Sequence, residues 1–178
     1  RRCAIVVTMK PFRIAFVCTG NICRSAMAEM MLKHELAGLG RTDIEVESFG
    51  ISDEEVGNPI DYRARAELEK NEVPVTEHSP RQLRAEHLAD IDLAIAMTSR
   101  HVAGIRRLEK QAGGHVPTVR MLHQFDEGAN PNEDPEAAAV ADVADPWYGT
   151  SDDFITTYRE LADAQPGIIT AVDAIRDN

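Results

Sequence analysis

"FRIAFVCTGNICRSAMAEMMLKHELAGLG", residues 12–40, carries two periodicities in succession with a turn between them. Residues 12–18 are a short apolar run of β-branched and aromatic side chains, the pattern of a strand buried on both faces. Residues 25–39 repeat at helical spacing, with Met27, Met30, Met31, His34 and Leu36 recurring and Gly38 and Gly40 as the stop signal. A strand that hands over to a helix through a Gly-containing turn is the opening unit of an α/β sheet.

The alternation continues outward from that unit. Residues 43–50, 90–97 and 117–125 are strand-like, residues 60–72 and 99–112 are helix-like, and no sequence repeat underlies the period. Residues 126–149, rich in Pro, Gly, Asp and Asn, are expected to be mostly a long loop, a class of segment that often carries function. Residues 151–176 close the chain as an amphipathic helix with Phe154, Ile155, Tyr158, Leu161, Ile168, Ile169, Val172 and Ile175, expected to be interrupted at Pro166 and Gly167. Strand and helix in alternation imply a doubly wound α/β sheet, whose ligand site lies beyond the carboxyl ends of its strands. The loop from Cys18 to Arg24 is that site in this chain.

Composition bounds what the site can serve. At 178 residues and 43% hydrophobic, the chain is long enough for one compact domain, expected over residues 9–178. Residues 1–8 read as an N-terminal extension ahead of Met9, with an extra edge strand at "AIVV" as the competing reading. A formal net charge of −11 argues against nucleic acid as a partner, so any anion must be met locally. Three cysteines, Cys3, Cys18 and Cys23, form neither a secreted disulfide framework nor a zinc site, and a cytoplasmic setting is expected. No run approaches the roughly 18 apolar residues of a membrane span, and the sequence implies no metal, cofactor or membrane partner.

The chemistry is concentrated in "CTGNICRS", residues 18–25. Gly20 and Asn21 tolerate positive φ, so the N–H groups of residues 19–24 can curl inward as an anion nest, reinforced by the helix N-terminus. The Arg24 guanidinium can hold two phosphate oxygens in a fork. Cys18 at the rim of that field is expected to be a stabilised thiolate and a nucleophile, and Ser25 can donate to it. A buried structural cysteine is the competing reading of the same spacing.

"VCTGNICRS" together with "DPWYG", "ESFGISDEEVGNPIDYRA" and "HSPRQL" between them, in that order over residues 12–176, resembles the low-molecular-weight protein tyrosine phosphatase family. The resemblance implies a three-layer, flavodoxin-like sheet of four parallel strands in the order 2-1-3-4 flanked by helices, and hydrolysis of phosphotyrosine through a cysteinyl-phosphate. By the same resemblance Cys18 is the nucleophile and Arg24 the phosphoryl clamp. Thr19, Gly20, Asn21, Ile22, Cys23, Arg24 and Ser25 bind phosphate. Asp145 is the general acid, later the base toward water. Asn21, Ser48 and His78 support the loop; Ile22, Glu54, Trp147 and Tyr148 line the substrate cleft. Cys18 and Cys23 are implied to form a reversible disulfide that guards the nucleophile. Read from the residues alone, Asp145 is a turn residue before proline, Trp147 and Tyr148 could anchor the last helix, and Cys23 could be a small packed side chain. Phosphotyrosine proteins and a tyrosine kinase are the expected partners, inorganic phosphate the product, and a monomer the expected state.

Two departures stand out against the family pattern. Glu54 occupies a position where many members carry Trp, which puts an acid at the rim, and Thr98 stands where many carry Asp after Met. Some arsenate reductases on this scaffold pass electrons through further cysteines, and the chain has none after Cys23; a thiol-cofactor-dependent reductase escapes that objection but leaves the Asp145, Trp147 and Tyr148 segment unexplained. Phosphoarginine phosphatases carry Thr where this loop has Ile22, and a binding module without turnover would not need Cys18, Arg24, Ser25 and Asp145 together.

Overall fold

A computed structural model of the protein describes residues 10–177; the expected extension over residues 1–8, Cys3 and the alternative edge strand at "AIVV" lie outside the described residues. The order is β1 (Phe12–Cys18), α1 (Arg24–Gly38), β2 (Ile44–Gly50), α2 (Tyr62–Lys70), β3 (Leu93–Ala96), α3 (Ser99–Glu109), β4 (Thr118–Met121) and α4 (Ser151–Arg176). The four strands form one parallel sheet in the order β2-β1-β3-β4, as expected. Strand β1 is therefore interior, and the chain switches sides of the sheet at it.

Alternate side chains of β1 go to opposite faces, as a pleated strand requires. Ile14, Phe16 and Cys18 join α1, α2 and α4 in one apolar layer with Met27, Leu32, Phe154, Leu161 and Ile168. Ala15 and Val17 join α3 and β4 in the other, with Val102, Ile105, Val119 and Met121. Burial on both faces explains why the strand reads as a continuous apolar run rather than an alternating one.

Two strands are shorter than the sequence pattern suggests. Residues 85–90 form a 3-10 turn before β3, and residues 122–125 form another after β4. Leu88, Leu122 and Phe125 in those turns are buried, so apolar content continues where the strand does not.

The helix break expected at Pro166 and Gly167 does not occur. Helix α4 runs unbroken for 26 residues. A proline inside a helix removes one hydrogen bond and clashes with the carbonyl four residues back, at a cost of about 3 kcal/mol. Pro166 points to solvent, while Leu161, Ala164, Ile168 and Val172 on the buried face bury apolar surface on both sides of it and offset that cost. Thr150 and Asp153 cap the start reciprocally. Gly167 has a packing reason: a β-carbon there would lie 1.9 Å from the Phe125 carbonyl oxygen, so glycine lets α4 close on the turn after β4.

Candidate active site

The site is assembled at the carboxyl end of β1, where the strand order reverses. Cys18 is the last residue of β1 and Arg24 the first of α1, so five residues must turn the chain between them. Asn21 supplies the bend with φ of 62°, a left-handed conformation that short polar side chains tolerate. The carbonyls of Cys18 and Thr19 accept from the N–H groups of Ile51 and Ser52 at 2.9 and 3.0 Å. Gly50 makes that approach possible, since a β-carbon there would sit 2.6 Å from the Thr19 carbonyl oxygen.

The loop's shape is held by a buried polar network. Asn21 Nδ2 donates to Ser25 Oγ at 2.8 Å and to Ser48 Oγ at 2.9 Å, and Asn21 Oδ1 accepts from the Arg81 N–H at 3.1 Å. His78 Nε2 lies 2.6 Å from the Asn21 carbonyl oxygen. Ser48 Oγ in turn donates to Glu29. Asn21, Ser25 and Ser48 are almost wholly inaccessible, so each polar atom needs such a partner to offset its desolvation. Ser25 Oγ also lies 3.0 Å from Cys18 Sγ, the contact a hydroxyl must make to stabilise a thiolate. Cys23 differs: burial, then the nearby Asp61 charge, pushes its thiol far above the ordinary range, which keeps it protonated.

Across the pocket, Asp145 comes from the long loop after β4. It begins the 3-10 turn Pro146–Tyr148, where its Oδ1 accepts from the Trp147 N–H at 3.1 Å. Its Oδ2 accepts from Arg24 at 2.8 Å, and the same guanidinium donates to the Val143 carbonyl at 3.0 Å. Arg24 Nε is buried and has no hydrogen-bond partner among the described residues. Trp147 and Tyr148 are exposed and stack edge to face with ring centres 5.0 Å apart, lining the mouth rather than anchoring α4. These groups enclose a pocket of about 140 Å³ that also touches Ile22, Ser52, Glu54 and Glu55. Of the sequence-derived site residues, Cys18, Thr19, Gly20, Ile22, Cys23, Arg24, Glu54, Asp145, Trp147 and Tyr148 line this pocket, while Asn21, Ser25, Ser48 and His78 lie behind the loop.

Arg63, Glu29 and His101 are among the side chains at the site that the sequence alone did not single out. Arg63 donates to the Gly149 and Trp147 carbonyls at 3.1 and 3.2 Å and to Asp61 at 2.8 Å. The Asp61 N–H is bonded to the Ile22 carbonyl at 3.0 Å, so one Asp–Arg pair ties the phosphate-loop segment to the Asp145 loop. Glu29 accepts from Ser48 behind the loop. The buried His101 ring bridges Thr98 Oγ1 at 3.1 Å and Thr19 Oγ1 at 2.9 Å, and Thr98 caps α3 by accepting from the His101 N–H. Its only sequence signal was a histidine three residues into a helix that follows a strand.

Burial, then the Arg24 charge, holds His101 down at about 3 against an ordinary value of 6.5. The unfolded chain therefore takes up a proton as pH falls below 6.5, and the folded one does not until about 3. The His101 contribution is complete above 6.5 and lost between those values, with a limiting slope of about 1.4 kcal/mol per pH unit. In urea titrations at pH 7 and pH 5, His101→Gln should lose less stability on acidification than the parent chain. Equal losses would mean that His101 charges while folded.

Comparison with known proteins follows the same geometry. The family model described as "Low molecular weight phosphotyrosine protein phosphatase" matches residues 13–177. A relative named low molecular weight protein-tyrosine phosphatase A, from Mycobacterium tuberculosis, is 39% identical over 165 residues, covering 92% of this chain and 93% of its own. A solved low molecular weight protein tyrosine phosphatase from T. tengcongensis superposes with a TM-score of 0.73 at 28% identity, covering 90% of this chain and 99% of its own. The solved arginine phosphatase YwlE superposes with a TM-score of 0.72 at 26% identity, covering 91% of this chain and 96% of its own.

Proposed function

The chain belongs to the low molecular weight phosphotyrosine protein phosphatase family, and from that premise we propose that it hydrolyses phosphotyrosine in proteins through a phosphocysteine on Cys18. The observation that carries this reading is the set of contacts around one small pocket: Cys18 Sγ 3.0 Å from Ser25 Oγ, and Arg24 2.8 Å from Asp145.

The steps follow from that set. The Cys18 thiolate attacks phosphorus in line with the phenolic oxygen, forming an S–P bond as the P–O bond breaks. Arg24 and the N–H groups of the loop hold the three non-bridging oxygens while charge spreads over them. An arriving phosphoryl dianion competes with Asp145 for the same guanidinium. Released from Arg24 beside the arriving dianion, the Asp145 carboxylate takes up a proton from solvent, faces the leaving oxygen and gives that proton to it. In the second half Asp145 takes a proton from water, which attacks the phosphocysteine, and Ser25 supports the departing thiolate. Inorganic phosphate and tyrosine are the products.

Trp147, Tyr148 and Ile22 provide apolar surface at the mouth for a flat phenyl ring. A phosphoarginine substrate is the second reading, favoured by one observation: Glu54 and Glu55 at the same mouth would meet a cationic guanidinium. A metal-free assay on matched phosphotyrosine, phosphoserine and phosphoarginine peptides separates the readings. The phosphotyrosine peptide should be turned over fastest and be blocked by vanadate; faster release from phosphoarginine would overturn the assignment.

The finer setting belongs to the same proposal. Two buried free cysteines at the site suit a reducing cytoplasm in which a peroxide that oxidises Cys18 to a sulfenic acid is answered by Cys23, whose sulfur displaces water to give a reversible disulfide. A tyrosine kinase that makes the substrate is the implied counterpart, and a monomer is the proposed form. Among the described residues no helix is long and apolar enough to cross a membrane.

A further inference from the structure

We propose that Arg100 and Arg107 of α3 each offer a site for an acidic side chain flanking the phosphotyrosine, in a groove that leaves the catalytic pocket over that helix. The proposal rests on the phosphatase reading of the Cys18 pocket and adds a peptide-recognition surface to it.

The groove has a volume of about 720 Å³ and is continuous with the pocket, because Thr19, Arg24, Ser52, Glu54, Asp145 and Tyr148 line both. Helix α3 forms one wall. Arg100, Ala103, Gly104 and Arg107 fall on one face of it at intervals of three, one and three residues. Ala103 is exposed and Ile51 packs against the buried Gly104, so the groove has a short apolar floor with cations at its ends, roughly 10 Å apart for seven helical residues.

The three neighbouring arginines of α3 are used differently. Arg106 is already engaged by Glu109 at 3.1 Å, Asp134 at 3.0 Å and Glu136 at 3.6 Å. Arg100 and Arg107 are exposed and have no carboxylate within 4 Å among the described residues. In a chain of net charge −11, two uncommitted arginines beside a catalytic pocket are a local exception with an electrostatic consequence.

The other charges on the groove set its polarity. Asp142 Oδ1 accepts from the Ser99 N–H at 2.7 Å, and Asp145 is held by Arg24, so both carboxylates already have donors. Glu54 lines the groove at the rim and Glu55 lines the adjoining pocket; Glu55 lies against Gly20. The mouth is thus acidic on the Glu54 and Glu55 side and basic on the α3 side. A phosphopeptide with an acidic residue is repelled from the first and drawn to the second, which fixes the direction in which its chain crosses the site.

The test is a set of phosphotyrosine peptides in which one Glu is walked through the flanking positions, each compared with Gln and Lys at the same place. At a register that reaches Arg100 or Arg107, Glu should lower KM by up to about fivefold relative to Gln, which is what one well-formed, partly exposed ion pair is worth. The gain should fade at high salt. Arg100→Gln with Arg107→Gln should erase it, and Arg100→Glu with Arg107→Glu should transfer the preference to Lys. Turnover of p-nitrophenyl phosphate, which has no flanking residues, reports whether the variants still fold. A Glu preference that survives both double variants, or its absence in the parent enzyme, overturns the groove proposal. Failure of every phosphotyrosine peptide would instead overturn the phosphatase reading.

Discussion

Cys18→Ser lowers kcat toward aryl phosphates by about 10⁴-fold or more, leaving a folded protein that still binds phosphate. The size follows from what is removed. A serine hydroxyl is not ionised at neutral pH, and the side chain that touches this position is no base for it: Ser25 Oγ, 3.0 Å from the Cys18 sulfur, is itself a neutral hydroxyl, and Asp145 is engaged by Arg24 on the leaving-group side. Losing the nucleophile of a concerted site has cost factors of this order or larger in other enzymes. Arg24 and the loop backbone are untouched, so inorganic phosphate should bind the variant at close to parental affinity, measured by calorimetry. Alkylation should distinguish the two cysteines in the parent: iodoacetate should modify Cys18 first, because burial keeps the Cys23 thiol protonated. Retention of even one hundredth of parental turnover in Cys18→Ser would remove Cys18 from the nucleophile's role.

Asp145→Asn has the second-largest expected effect, and it should move two observables in opposite directions. Loss of general-acid help costs about 10² to 10⁴ in rate, concentrated on substrates whose leaving oxygen is strongly basic. Phenyl phosphate should therefore suffer far more than p-nitrophenyl phosphate. Arg24, by contrast, loses an anionic competitor that sits 2.8 Å away, so vanadate and phosphate should bind the variant more tightly. Equal rate losses for both leaving groups would show that Asp145 is not the acid. Arg63→Gln should give a milder version of the same leaving-group dependence, because Arg63 holds the Trp147 and Gly149 carbonyls that follow Asp145. Added to Asp145→Asn it should cost little more, as expected for two residues acting through one proton transfer.

How much of this could be read beforehand depends on distance along the chain. Cys18, Gly20, Asn21, Arg24 and Ser25 lie within one strand-turn-helix unit, so their spacing alone states a phosphate loop. Ser48, His78 and Asp145 reach that loop across 27, 57 and 121 residues, and only family resemblance joined them to it. His101, Arg63 and Glu29 had no such help, since a lone histidine, arginine or glutamate on a helix has an ordinary surface explanation. Pro166 and Gly167 were legible as helix breakers but not as members of a helix, because the burial that overrides them comes from residues on the opposite face.

Local order therefore came from the sequence by itself: the period of each segment, the buried character of β1, the parallel α/β class and the nucleophilic loop all depend on neighbours a few residues apart. Only the tertiary structure decided which donors and charges face one another. It set Arg24 against Asp145, placed His101 between Thr19 and Thr98, and left Arg100 and Arg107 beside the pocket with no carboxylate partner among the described residues. Those pairings follow from how helices pack on the sheet, and free energies of packing are summed over the whole chain rather than written in any one stretch of it.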